Sequence, residues 1–189
     1  MTTFILGLII FFGSHLFTSF ARAPRAALIA KMGEGPYKGL YSLVSLIGLV
    51  LIVRGWPEAD RTVLYVLPYF VVHITYLLVL IALILVVAAY APAGYIAEKT
   101  KHPMLAGVKV WAFAHLLVNG DVRSLMLFGS FLAYAVIDRI AVKKRGEMGR
   151  ASKGWQNDLI AVIIGLVAYG LIFRFHGSIA GVALVPAWG

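Results

Sequence analysis

Thirty-six consecutive residues, from Thr62 to Ala97, contain no Asp, Glu, Lys or Arg. Residues 1–21 are likewise free of them. A spanning helix needs about 20 mostly apolar residues, whereas water-soluble folding would leave runs of this length with nowhere to hide. Charged residues make up only 13% of the chain, against about 25% in an average soluble domain. The mean hydropathy of +0.91 points the same way. The fold class expected is all-α: a polytopic membrane helical bundle of about six transmembrane helices, forming a single domain over 1–189 with little mass outside the bilayer.

The chain has no cysteine, which excludes disulfides, thiolate metal sites, iron–sulfur clusters and cysteine nucleophiles. Its net charge of +9 is read as topology rather than as nucleic-acid binding, because Lys and Arg accumulate in cytoplasmic loops. The first apolar run lacks a preceding basic residue and ends at Arg22 and Arg25 rather than at a small-residue cleavage site. It reads as a retained helix.

Six spans are predicted, at 2–20, 39–56, 63–90, 104–119, 122–141 and 157–175, with Pro68 delaying or kinking the third. Asn119-Gly120-Asp121 is a turn signature expected to close the fourth and fifth into an antiparallel hairpin. Loops one, three and five carry Arg22, Arg25, Lys31, Lys38, Lys99, Lys101, Lys109, Arg139, Lys143, Lys144, Arg145, Arg150 and Lys153. The opposite side has only Arg54, Arg61, Arg123 and Arg174. This bias places the odd loops in the cytoplasm and both termini in the periplasm of a bacterial inner membrane. A re-entrant 104–119 would break the alternation. Beyond Phe175, Gly177 and Gly181 allow one further close-packed half-helix, but an apolar tail lying on the surface is the preferred expectation.

Ionisable groups inside hydrocarbon mark function, because burying them is costly. All eight acidic residues fall in loops or at helix ends, whereas His15, His73 and His115 fall within spans. His102 begins the fourth span and His176 ends the sixth. Helical spacing puts Thr18, Ser19 and Arg22 on the face of His15, Tyr69 and Tyr76 on that of His73, and Trp111 and Asn119 on that of His115. Each imidazole alone is equally well read as an interhelical hydrogen-bond partner. Carboxylate-based di-iron or zinc sites lack ligands within the spans. Two imidazoles in apolar surroundings suit haem, with Arg22 and Arg25 as partners for propionates or for lipid phosphates.

Two passages resemble the NnrU family. One is Gly13-Ser14-His15 through Arg22 and Arg25 to Tyr37-Lys38-Gly39-Leu40-Tyr41-Ser42-Leu43. The other is Lys101-His102-Pro103-Met104 through Gly107, Lys109 and Trp111 to His115-Leu116-Leu117-Val118-Asn119-Gly120-Asp121, followed by Phe128-Gly129-Ser130-Phe131-Leu132. The similarity extends over residues 5–145. It implies a membrane protein of denitrification, linked to nitrite and nitric oxide reductases, in nitrogen-oxide metabolism or redox sensing. Plant zeta-carotene isomerase is similar over the same region and carries b-type haem. By that resemblance haem b is the cofactor, His15 and His115 are the metal ligands, and His73 and His102 are supporting or alternative groups. Nitric oxide or a hydrophobic small molecule would be the partner besides lipid. Ala112 stands where the plant enzyme has a cysteine, so thiolate exchange, and with it that route to isomerase chemistry, lacks its residue here. Two other readings stand beside this one. His102-Pro103 is similar to the His-Pro motif of membrane methyltransferases using S-adenosylmethionine, and a non-catalytic assembly factor for the reductases would need no site.

Overall fold

The structure, a computed structural model, describes residues 1–184. Its helices are α1 (Thr2–Phe20), α2 (Arg22–Met32), α3 (Glu34–Gly55), α4 (Val71–Tyr90), α5 (Tyr95–Thr100), α6 (Pro103–Val118), α7 (Val122–Lys144) and α8 (Gln156–Ala180). A 3₁₀ turn, Trp56–Glu58, follows α3. Five of the helices are long and apolar enough to cross a membrane, and α6 is a shorter apolar helix of 16 residues. At 1.5 Å per residue α6 spans about 24 Å, less than the ~30 Å hydrocarbon layer. Large apolar side chains such as Ile9, Val53, Val167 and Leu171 are exposed in mid-helix, as expected where lipid is the solvent. The chain divides into two compact units, Met1–Leu67 with Asn119–Gly146, and Pro68–Val118 with Glu147 onward.

In the first unit α1 and α3 pack antiparallel with their backbones in contact. A Cβ on Gly7 would stand 2.6 Å from the Ile52 nitrogen, and one on Gly48 would stand 2.7 Å from the Phe11 nitrogen. Gly55 lies as tightly on Phe4. Without a hydrophobic force between helices in lipid, such close approach is what holds them together. Phe4, Leu8, Phe12, Ile52 and Ala59 form the core beside this seam. Across α1, Phe12 meets Phe131 at 4.9 Å and His15 meets Tyr134 at 5.5 Å. Both residue numbers rise together, so α7 runs parallel to α1.

The residues following α3 and those opening α7 are joined at one end: Val122 donates to the Thr62 carbonyl, Arg123 to that of Asp60, and Val63 bridges to Asp121. The intervening chain, 68–118, therefore leaves and returns to the same end. In the second unit α6 runs antiparallel to α4, with Gly107 against Ala82 and Val86 and the Thr75 hydroxyl donating to Ala114. On its other side α4 takes α8, also antiparallel, through Gly165 on Ile84 and Tyr76 on Phe173.

The basic end of the second unit is tied by backbone groups. Asp158 accepts from the Tyr95 and Ile96 amides that open α5, at 2.8 and 2.9 Å. Arg150 donates to the Ala88, Ala89 and Ala91 carbonyls at the C-terminus of α4, at 2.8–3.0 Å. These are unpaired acceptors at the negative end of a helix dipole. Arg150→Ala leaves them to water, and a loss of about 1–2 kcal/mol is expected, since the guanidinium is exposed. The measurement is thermal unfolding in detergent, with Lys153→Ala, which keeps its backbone bond to Ala93, as the comparison.

Several boundaries differ from expectation. Residues 22–32, read as loop, form α2, a short basic helix with no buried residue. Gly33, at φ 89°, makes the corner that lets α3 begin at Glu34 rather than 39, with Glu34 ion-paired to Lys38 at 2.8 Å. The third span takes the late start expected from Pro68, beginning at Val71 rather than 63, and the amides of Leu64 and Tyr65 before it are hydrogen-bonded to Gly120. Within their own units α6 lies on α4, and α7 on α1. His176 and Gly177 belong to α8, which ends where Gly181 adopts φ 74° as its cap. The surface-lying tail is thus shortened, and its last five residues, 185–189, lie outside the described ones.

Candidate functional site

His15 is where three helices of the first unit converge. Phe11 of α1, Tyr41 of α3 and Tyr134 of α7 surround its ring at centroid distances of 4.3, 5.5 and 5.5 Å. The half-buried imidazole hydrogen-bonds through Nδ1 to the Phe11 carbonyl at 2.7 Å. A carbonyl can only accept, so Nδ1 carries the proton and the lone pair is on Nε2. Beside it the Ser14 hydroxyl donates to the same carbonyl and pairs with Ser45 of α3 at 3.1 Å. Thr18 and Ser19 donate back to the His15 carbonyl. The expected polar stripe is therefore real, but its hydroxyls satisfy α1's own backbone.

His115 repeats the same local device in the second unit. Its Nδ1 donates to the carbonyl of Trp111 at 2.8 Å, and the two rings lie 4.9 Å apart. It stands three residues before the end of α6, and Asn119 follows in the turn into α7.

The remaining candidates are placed differently. His73 has its Tyr69 and Tyr76 neighbours, at 6.0 and 6.2 Å, but sits exposed in the first turn of α4. His102 precedes α6, and its Nε2 contacts the Glu147 carbonyl at 3.2 Å, so it ties the α7–α8 connection to the start of α6. Arg22 and Arg25 lie on α2, not on α1 beside His15. Tyr41, Ser45 and Tyr134 were not singled out from sequence. The available signal was the polar pairs Tyr41/Ser45 and Tyr134/Asp138, each four apart on its helix.

At the other end of the first unit, polar groups are locked into structure. Asp121 caps α7 by accepting from the Ser124 amide at 2.8 Å and lies 3.6 Å from Arg123, whose guanidinium covers Trp56 at 4.4 Å. The Thr62 hydroxyl and amide both donate to Asp60, holding its carboxyl below the usual carboxylate range. Among the described residues no group of three or more His, Cys, Asp or Glu is arranged to hold a metal ion.

Apolar helices with exposed aliphatic surfaces, glycine-mediated packing and imidazoles held between aromatic rings define a polytopic α-helical membrane protein. The chain belongs to the NnrU family: the family model, described as NnrU protein, matches residues 3–184. Neither the comparison with curated proteins nor that with solved structures returned a match.

Proposed function

We propose that this inner-membrane protein binds b-type haem through intramembrane histidine, with His15 and His115 as the iron ligands. Its role would lie in nitrogen-oxide metabolism or redox sensing, with both termini in the periplasm. The observation that carries the reading is the tautomer shared by the two imidazoles. Each gives its Nδ1 proton to the carbonyl one turn back, at 2.7 and 2.8 Å. This is the outer-shell arrangement that orients a ligating histidine and directs its Nε2 lone pair toward iron. Haem, when bound by both imidazoles, would supply a one-electron couple, and a diatomic gas such as nitric oxide would have to take the place of one imidazole. The chain's own part is to hold the imidazoles in orientation, to keep water from them with Phe11, Tyr41, Tyr134 and Trp111, and to leave no carboxylate competing for iron. Orientation rests on charge: the ends of α1, α3 and α7 beside α2 carry Arg22, Arg25, Lys31, Lys38, Arg139, Lys143, Lys144 and Arg145 against Glu34 and Asp138. The other end balances Arg54, Arg61 and Arg123 against Glu58, Asp60 and Asp121.

The absorption spectrum of protein purified from haem-replete cells is the test. A b-type spectrum is expected, with bound haem falling to background in His15→Ala and in His115→Ala. His102→Ala keeps it, because that ring is engaged with Glu147. Colourless wild-type protein would sink the proposal.

A further inference from the structure

We propose that α2 holds the phosphate of an anionic phospholipid of the cytoplasmic leaflet, in a site built from Arg22, Arg25, Ala26 and Ile29. These four residues share one face of the helix and line an open surface depression of about 380 Å³. One end of the face is doubly basic and the other apolar, the order of a headgroup phosphate followed by glycerol and acyl chain. Arg25 supplies the sharper observation. Its Nε is shielded from solvent and, among the described residues, has no hydrogen-bond partner. Arg123 Nε is in the same condition over Trp56, so the shielded N–H marks a guanidinium seated on an aromatic ring, and it is the exposed remainder of the half-buried Arg25, with exposed Arg22, that a phosphate would meet.

The protein offers that donor no obvious acid. Arg25 lies over the Tyr37 ring at 5.8 Å, which fixes the guanidinium without satisfying it. Glu34, the nearest carboxylate in sequence, gives its Oε1 to Lys38 at 2.8 Å. The helix itself contains Arg22, Arg25 and Lys31 and no acidic residue. It has no buried residue, and Leu28 and Met32 are exposed beside the basic positions. This is the character of a helix lying in the membrane interface. Anionic headgroups are what such a surface meets at a cytoplasmic face. Planar, forked guanidinium also suits a phosphate diester better than a point charge does.

Native mass spectrometry of the detergent-released protein, titrated with phosphatidylglycerol or phosphatidylethanolamine, tests the site. Wild type is expected to retain one phosphatidylglycerol in preference to phosphatidylethanolamine. Arg25→Gln should weaken that retention about tenfold, the scale of one charge-assisted hydrogen bond. Arg25→Lys keeps the charge and the fold but loses the fork, and an intermediate loss is expected. Lys143→Gln/Lys144→Gln removes two charges from the same end of the first unit and should leave the retained lipid in place. Equal loss in that control would mean diffuse attraction and overturn the proposal. So would equal retention of the two lipids, or displacement of phosphatidylglycerol by equimolar inorganic phosphate. Retention confined to haem-loaded protein would assign the arginines to propionates instead. Lipid retained by haem-free protein separates this site from the histidine reading.

Discussion

Gly48→Leu is expected to abolish recovery of folded protein from detergent, and Gly48→Ala to lower its unfolding temperature substantially. The reason lies in what the new atom meets. A Cβ at Gly48 falls 2.7 Å from the nitrogen and 2.9 Å from the Cα of Phe11, and backbone cannot swing aside as a side chain can. Leucine adds three more carbons to that clash, so α1 and α3 must separate. Overpacking in a core costs about 1–3 kcal/mol when neighbours can adjust. Here separation also opens the contacts at Gly7 and Gly55, two further points on the same seam, so the loss exceeds that range. Gly170→Ala, in α8, meets nothing within 4 Å and is the matched control. Size-exclusion profiles of the three variants check the expectation. A monodisperse, wild-type-like Gly48→Leu protein would show that α1 and α3 do not pack by backbone contact.

The apolar runs made the helical class and most of the spans legible, because their length is dictated by the membrane rather than by neighbours. Helix ends were less so. The sequence of α3 from Glu34 to Lys38 reads as polar loop, and only the corner at Gly33 turns it into a first helical turn. The 63–70 segment reads as helix by composition, yet its amides at Leu64 and Tyr65 go to Gly120, more than fifty residues away. The six-helix count rested on charge alternation, and the structure has five helices long and apolar enough to span and a shorter apolar one, α6. For the candidate site, face-sharing on one helix was readable: Trp111 does lie beside His115, and Tyr69 and Tyr76 beside His73. The partners of His15 on α3 and α7 were not, since apolar helices give no register signal in sequence. Spacing also could not show that His102 is occupied by a backbone carbonyl, or that Arg22 and Arg25 leave α1 for a helix of their own.

Gly120→Ala is expected to destabilise the protein by about 3 kcal/mol, combining a backbone clash with a lost hydrogen bond. Gly120 belongs to the most distinctive stretch of the chain, His115 to Asp121, which invites a functional reading of every residue in it. The structure divides that stretch. A Cβ on Gly120 would run into the Tyr65 carbonyl oxygen, and the Gly120 carbonyl itself accepts from Leu64 at 2.7 Å. Neither contact survives a methyl group without the extended segment after α3 pulling away from the start of α7. Asp121 then loses its bridge to Val63, and Arg123 its seat beneath Trp56. The variant should therefore unfold at least about 5 °C lower, by the usual relation between free energy and melting temperature for chains of this size. Haem per folded molecule is the readout that separates the two kinds of residue. It should stay at the wild-type value in Gly120→Ala and fall only when His115 itself is replaced. A Gly120→Ala protein of normal stability but without haem would move Gly120 from the joint to the site, and would mean that the turn serves the imidazole directly.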